Sequence, residues 1–433
     1  WVGQYKTPYI AGQMPTPYYD ANDGFPSYLF QNDGQGQFTD VTERAGLAGK
    51  RFRRTYSASA IDLDDDLDLD LVVCSDFAGL DVYLNDGQGK FADVTETYVD
   101  FRHSFGMSLS FADYNRDGKI DMFMTGMGST TARRLEKLGL GRDEFPLHQQ
   151  MRMPMAYGNR MYLATAPEGQ DSATGNRRFR QASFNDQVAR TGWSWGSSSF
   201  DFDNDGDSDL YVANGFLSRD SAKDYCTHFW CQDIYTGSSA ADPEIVKMHA
   251  GVKAMTGEMS WNGYEHNCLL MNESGTGFAN VAFLMDVAFE FDSRCVVSDD
   301  LNGDGRVDLI VYKFDLNKNN PHVIYALENR LVTGRHWIGV RLKEEAGCSA
   351  MGASVVVRSS AGEQIRKYVS GDSYFSQHAP MLHFGLGAQS DVDAIEVTWI
   401  NGTRRRLQRP RIDRYHMVSA VETDSSPEVP GVP

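Results

Sequence analysis

The sequence predicts an all-β protein, a β-propeller with helical insertions followed by a small C-terminal β domain. Three observations carry this prediction: an acidic loop that recurs four times, an apolar strand directly after each loop, and a Gly-rich turn that precedes each loop in fixed phase. The loops are 62–70 (DLDDDLDLD), 113–121 (DYNRDGKID), 201–209 (DFDNDGDSD) and 300–308 (DLNGDGRVD). The runs after them are LVVC, MFMTG, LYVAN and LIVYKF. The turn reads NDGQGQFTDVT at 32–42 and NDGQGKFADVT at 85–95, with weaker forms ending in Phe179 and Phe278. From its Phe to the next loop the distance is 24, 22, 22 and 22 residues. Short strands and turns repeating in phase are the signature of a propeller or another radial β repeat.

Taken in order, the first unit is incomplete. WVGQ reads as the strand that follows an acidic loop, and SYLFQNDGQGQF completes that unit, yet the loop is missing. About five units are visible, so the first blades are expected to be absent or upstream, the alternative being a ring that closes by pairing strands from both ends. Successive loops lie 51, 88 and 99 residues apart, so the third and fourth units carry extra chain. We place the extra residues near 126–157, which contains TARRLEKLGL, and near 215–262, which contains DPEIVKMHAGVKAM. Both read as helix-forming insertions between two strands of one blade, projecting on one face. An additional blade in each gap would need a second acidic loop, and neither gap has one. The propeller is expected over 1–332. Residues 335–412 alternate apolar and polar (VVVRSS, IEVTWI) between Gly-rich turns, as a small β domain does. Residues 413–433, ending TDSSPEVPGVP, read as a flexible Pro-rich tail.

The acidic loops carry the chemistry. They hold six, three, five and three aspartates, 17 of the chain's 59 acidic residues. Carboxylates at alternate positions converge only if the backbone turns sharply, and the Gly at position six of three loops permits the turn. Hard oxygen ligands in such a ring define a calcium cage, with a backbone carbonyl expected from position seven. The expected ligands are Asp62, Asp64, Asp66, Asp68 and Asp70; Asp113, Asn115, Asp117, Lys119 and Asp121; Asp201, Asp203, Asp205, Asp207 and Asp209; and Asp300, Asn302, Asp304, Arg306 and Asp308. Lys119 and Arg306 would serve through their carbonyls. An EF-hand would need Glu at position twelve and a helix after it. Here Val73, Met124, Val212 and Val311 occupy that position, inside strands. About four calcium ions would move the formal charge from −18 to about −10. Loop 62–70 departs from the pattern because Leu67 replaces Gly, so the weakest site is expected there.

The same charge argues against nucleic acid or anionic membranes as partners. No uninterrupted apolar run is long enough to span a membrane, and the N-terminus has no signal-peptide pattern. Six cysteines allow up to three disulfides in an exported protein. A secreted, periplasmic or cell-surface location is expected.

A second possible site lies in the insertions. His148, Cys226, His228, Cys231, His249 and His266, with nearby methionines, have the soft donors that hold copper or another transition metal. A Cys226–Cys231 disulfide is the competing reading of that pair. No G-x-S-x-G, H-E-x-x-H or phosphate-loop motif is present. Trp193, Trp195, Trp230 and Trp261 lie near the insertions and would suit a carbohydrate platform, although propeller interiors use aromatics too.

The loop-plus-strand units resemble the FG-GAP or VCBS repeats of integrin-alpha-type propellers over roughly 1–330. After them, W337-I-G-V-R-L-K, M351-G-A-S-V-V-V-R, G371-D-S-Y-F-S-Q, L382-H-F-G-L-G and I395-E-V-T-W-I-N-G follow the order of the ASPIC/UnbV domain. Ile400 stands where that family commonly has Pro. Together they resemble the family that includes bacterial relatives of cartilage acidic protein. The resemblance implies an integrin-alpha-like propeller, seven-bladed when complete, that is secreted, binds calcium and takes part in interactions. The first functional reading is therefore a calcium-stabilised module that binds a protein or glycan, or an upstream part of the same precursor. The alternative is an exported metalloenzyme using the His/Cys/Met set. A polysaccharide-active enzyme is a third reading, for which the sequence names no carboxylate pair.

Overall fold

The computed structural model describes residues 1–421 except 9, 142, 166–177, 225, 227–229, 231–237, 256, 315–321 and 346. Each Gly-rich turn and each acidic loop reverses the chain between short apolar runs, so the strands pair antiparallel with their sequence neighbours. β1 (Phe30–Asn32) and β2 (Phe38–Asp40) form a hairpin. The next sheet is β3 (Arg54–Ile61), β4 (Asp70–Asp76), β5 (Gly79–Asn85) and β6 (Phe91–Asp93), paired in that order. Then come β7 (Gly106–Ala112), β8 (Asp121–Gly126), β9 (Arg160–Ala164) and β10 (Phe179–Gln181). In the following sheet β11 (Ser194–Phe200) and β12 (Asp209–Asn214) lead into an insertion holding β13 (Ser221–Asp224) and β14 (Met259–Ser260). β15 (Cys268–Asn272) and β16 (Phe278–Asn280) complete that sheet. The fourth sheet has three strands: β17 (Ser293–Asp299), β18 (Asp308–Phe314) and β19 (His322–Leu327).

The second strands are the apolar runs of the sequence. β4, β8 and β12 are buried along their whole length, which is how a strand covered on both faces reads. Neighbouring sheets meet face to face. Phe179 lies between the first and second full sheets, and Phe278 between the second and third, both buried. Each such ring contributes about 2–3 kcal/mol of burial. The insertions fall between the second and third strands of their sheets, since β8 pairs with β9 and β12 with β15. They contain helices Thr130–Lys137, Pro146–Met155 and Pro243–Met255.

The first strands read differently: RTYSASAI, GMSLSFA, SWGSSSF and SRCVVSD. Small residues dominate because β3, β7, β11 and β17 lie side by side in that order and line a narrow axis. Each carries a bulge near its start, which increases local twist. Their hydroxyls are bonded across the sheets: Ser108 Oγ donates to the Trp195 carbonyl at 2.6 Å, and Ser110 Oγ meets Ser197 Oγ at 2.6 Å.

The C-terminal domain is a sandwich of two sheets. One contains β20 (His336–Leu342), β23 (Leu382–Gly387) and β26 (Tyr415–Val418). The other contains β21 (Ser354–Ser359), β22 (Gly362–Lys367), β24 (Ala394–Thr398) and β25 (Arg404–Gln408). Trp399, Ile338, Val355 and Phe384 centre its core. The tail expected from 413 begins later, because β26 pairs in parallel with β20. The Pro-rich run at 422–433 lies outside the described residues.

Between β22 and β23 the domain sends a strap down the propeller axis. Ala60 and Ser370 exchange backbone hydrogen bonds at 2.8 and 3.1 Å. Ser373 touches all four first strands: its carbonyl accepts from Ser57 Oγ, its N–H donates to the Leu109 carbonyl, its hydroxyl donates to the Val296 carbonyl, and Gly196 packs on that hydroxyl. Gly371 passes so close to β3, with φ of 81°, that a Cβ there would meet the Ala58 carbonyl oxygen at 2.2 Å. Gly371→Ala should therefore destabilise the whole chain by about 2–4 kcal/mol. The readout is the denaturant midpoint. An unchanged midpoint would show that the strap is not part of the folded unit.

Candidate functional site

In each full sheet the acidic loop joins the first strand to the second, so the four loops emerge at one end of the propeller and the insertions at the other. The loops share one wiring. The position-nine carboxylate accepts two backbone N–H groups, one from its own loop and one beyond the third strand's start. Asp70 accepts from Leu63 and Asn85, Asp121 from Tyr114 and Ala164, Asp209 from Phe202 and Asn272, and Asp308 from Leu301 and Asn329, all at 2.7–3.1 Å. The position-one carboxylate accepts the N–H groups of positions five and six in three loops: Asp113 from Asp117 and Gly118, Asp201 from Asp205 and Gly206, and Asp300 from Asp304 and Gly305. Gly118, Gly206 and Gly305 have φ of 82°, 94° and 81°. In loop 62–70, Leu67 itself takes φ of 75°.

Two loops gather their carboxylates. Asp62, Asp64 and Asp70 each offer an oxygen within 4.8 Å of the others, and so do Asp201, Asp203 and Asp209. The sparing of Gly at Leu67 has not kept loop 62–70 from closing in this way. Buried Asp62 Oδ1, Asp64 Oδ1 and Asp207 Oδ1 have no hydrogen-bond partner. Burial foremost, with neighbouring carboxylates adding to it, pushes Asp70 and Asp201 up to about 7 and Asp207 up to about 8. Orphaned acidic oxygens that repel one another fit a hard divalent cation. The other two loops differ at position seven. Lys119 Nζ binds Asp117 at 3.0 Å and the Arg306 guanidinium binds Asp304, so each loop supplies its own cation. Position seven is Asp68 and Asp207 in the two clustered loops, a distinction visible in the sequence once its meaning is known.

The C-terminal domain lies on this acidic end. Lys367, 3% exposed, donates to the Asp62 carbonyl at 2.7 Å and to Asp65 Oδ1 at 2.6 Å. Arg335 binds Asp203 at 2.6 Å, and the Arg366 guanidinium feels the charges of Asp201, Asp209 and Asp113. His383 Nε2 meets Asn204 Oδ1 at 2.7 Å, and the Gly387 N–H donates to the Asn204 carbonyl. At loop 300–308 the Tyr415 hydroxyl donates to Asp300 at 2.5 Å and the Trp337 indole lies on Gly305. Sequence reasoning named none of these partners, because nothing local pairs a strand of one domain with a loop of another.

The soft-donor set is not drawn together among the described residues. His148 packs among Tyr18, Tyr19 and Phe145, whereas His266 Nε2 pairs with Glu290 at 2.8 Å beside Phe283. His228, Cys231 and the His249 side chain lie outside the described residues, and the Cys226–Cys231 pairing with them. Cys74, Cys268, Cys295 and Cys348 are thiols, so they form none of the disulfides that the even count allowed. At the insertion end, Trp193, Trp195 and Phe216 stack, Arg294 lies 4.3 Å over Trp195, and Tyr5 stacks on Tyr56 at 4.0 Å. Strap residues Tyr374 and Phe375 join them, with Phe375 68% exposed.

Among the described residues one Ser–His–Asp series occurs: Asp372 Oδ2 to His378 Nδ1 at 2.6 Å, and His378 Nε2 to Ser198 Oγ at 2.8 Å. Ser198 is fully buried and donates its hydrogen to Ser298 Oγ. Burial opposes the protonated form of His378, but the adjacent Asp372 carboxylate raises its pKa. The series clamps the strap to β11 and β17 and presents no accessible nucleophile.

Comparison with known proteins agrees with this architecture. Residues 62–124 match the model of the FG-GAP-like repeat, and 344–426 match ASPIC and UnbV. Cartilage acidic protein 1 of Mus musculus is 24% identical over 330 residues, covering 74% of this chain and 38% of that protein. The Homo sapiens protein is also 24% identical over 330 residues, covering 74% and 37%. The chain thus spans less than two-fifths of the length of these curated relatives. The crystal structure of the V. cholerae biofilm matrix protein Bap1 covers 94% of this chain and 58% of its own at 11% identity, with a TM-score of 0.32, too slight a likeness to carry an argument. No described helix is long and apolar enough to cross a membrane. The chain is a β-propeller-like protein that carries an FG-GAP-like repeat followed by an ASPIC and UnbV domain and is similar to cartilage acidic protein 1.

Proposed function

We propose that this chain is an exported, calcium-stabilised propeller that binds a protein or glycan ligand through the end bearing its two insertions. One observation carries the calcium reading: two sets of converging aspartates with buried oxygens that no donor satisfies, set where the blades meet the C-terminal domain. Calcium there neutralises charge, fixes the loops and so supports the surface on which Lys367, Arg335 and Tyr415 dock. The ions would be structural. The aromatic group at the opposite end supports the ligand reading. Exposed Phe375 and half-buried Tyr5 and Tyr56 surround the strap tip over buried Trp195, and aromatic faces are what sugar rings and protein anchors pack against.

The four loops are not equivalent in this reading. Calcium meets no cation carried by the loop itself at 62–70 and 201–209, where Lys367 and Arg335 reach Asp62 and Asp203 from the C-terminal domain, but at 113–121 and 300–308 it has to displace the loop's own Lys119 and Arg306 from Asp117 and Asp304. Two tighter and two weaker sites follow.

Saturating calcium should raise the thermal midpoint by about 5 °C or more over chelator-treated protein, since one site filled to 100 times its dissociation constant contributes about 2.7 kcal/mol. Identical melting curves with calcium and with chelator would sink the calcium reading. Arg306→Ser should tighten calcium at loop 300–308 by about tenfold, roughly 1.4 kcal/mol, as read by titration calorimetry. A looser or unchanged site would mean that the guanidinium does not compete with the ion.

A further inference from the structure

The fourth full sheet lacks the strand that the other three possess. In the first and third of those sheets the fourth strand starts six residues after an Asn that ends the third, Asn85 to Phe91 and Asn272 to Phe278, and likewise Asn32 to Phe38 in the N-terminal hairpin. After β19 the corresponding Asn329 is present and wired as in the other sheets, its N–H donating to Asp308 and its side chain to the Phe202 carbonyl. Six residues on stands Arg335 in place of Phe. Arg335 turns to Asp203, and the chain leaves for the C-terminal domain. Among the described residues no strand pairs with the outer edge of β19, and Ile324 within it is 70% exposed.

The place of the missing ring is an apolar groove of about 370 Å3, lined by Phe200, Phe202, Leu269, Leu284, Leu309 and Leu327. The preceding junction shows what belongs there. Phe278 sits between the second and third full sheets against Tyr114 (6.3 Å) and Phe184 (5.9 Å), with Leu210 and Leu270 beneath it, and its N–H donates to Gln187 Oε1 at 2.7 Å. Each neighbour has a counterpart one sheet further on: Phe202 for Tyr114, Phe283 for Phe184, Leu309 for Leu210, Leu327 for Leu270, and Asp286 for Gln187. Leu284, in the wall of the groove, is 81% exposed. An apolar surface beside an unprotected strand edge is the form of a strand-addition site.

We infer that this groove and the β19 edge form a docking site for an extended segment of a partner protein anchored by a phenylalanine. The segment pairs with β19 as a fourth strand, its ring fills the groove, and the Asp286 carboxylate accepts the anchor's N–H as Gln187 does for Phe278. The fourth strands of the chain itself, Phe-Ala-Asp and Phe-Ala-Asn, define the chemistry that fits. The site lies on the rim of the last sheet, apart from the aromatic end, and does not depend on calcium being the ion in the loops.

The test uses the full chain and a fluorescein-labelled peptide of sequence NESGTGFANVA, residues 272–282, followed by fluorescence anisotropy. We expect saturable binding that weakens at least tenfold when the peptide's Phe is replaced by Ala, and equally with Leu284→Arg, a change at a solvent-facing residue that leaves the fold intact. Asp286→Ala should weaken it less. No saturable binding, equal binding of the Ala peptide, or binding indifferent to Leu284→Arg would each overturn the inference. Sedimentation at rising concentration is the companion measurement: a dimer dissolved by Leu284→Arg would put a second copy in the groove and overturn the assignment to a partner protein, whereas a monomer throughout supports it.

Discussion

Everything at one end of this molecule follows from the need to neutralise carboxylates held a few ångströms apart. Like charges at that spacing cannot all ionise in a half-buried site unless something opposes them. The chain uses three kinds of opposition. Backbone N–H groups satisfy the position-one aspartates of three loops and the position-nine aspartates of all four, which also fixes loop shape and strand register. Side chains within the loop, Lys119 and Arg306, satisfy position five in two loops. The C-terminal domain brings Lys367, Arg366 and Arg335 to the others. What remains, at Asp62, Asp64 and Asp207, is acidic oxygen with no donor in reach.

The strap answers a different constraint. Inner strands with small residues leave an axis lined by hydroxyls and carbonyls, and a buried polar lining has to find partners. Serines 57, 59, 198 and 298 find them in the strap or in one another through it: Ser59 Oγ donates to the Gly371 carbonyl at 2.7 Å, and Ser198 links Ser298 to His378. The strap is thus hydrogen-bonded to every first strand, and the C-terminal domain is part of the propeller's interior as well as its cover. The two contacts support each other, because β22, which carries Arg366 and Lys367, leads directly into the strap.

The repeat was legible because its spacing is local. A Phe in the fourth strand lies 22 residues before the next loop, and that interval is one turn plus one first strand in every full sheet, so phase survives even where insertions lengthen the unit elsewhere. Apolar runs after the loops read as buried strands for the same reason. The strap was not legible. Ser57 and Ser373 are 316 residues apart, and G371-D-S-Y-F-S-Q looks like a surface turn until the axis that receives it is known. Nor was the sandwich's extension to Tyr415–Val418, since a four-residue edge strand beside a Pro-rich run has too little pattern to stand out. At the loops, the carboxylates and their spacing were plain, but the split into two classes was not drawn. It rests on position seven, where a side chain was expected to matter only through its carbonyl, and where Lys119 and Arg306 turn their charge inward instead.

Arg335 joins the two ends of this account. Six residues after Asn329 the repeat calls for a ring to fill the space between the third and fourth sheets, and a guanidinium cannot fill it. The same position is where the chain must cross from β19 to β20 over loop 201–209, the second most acidic of the four. A residue there can seal the groove or oppose Asp203, and its side chain reaches only one of them. Arg335 opposes Asp203 at 2.6 Å, so the acidic end gains a tethered cation while the last sheet keeps an open edge and an unfilled apolar groove. The exposure of Leu284 in the groove's wall is the structural consequence of charge neutralisation one loop away, and the open edge belongs to the same design that lets the C-terminal domain cover the loops.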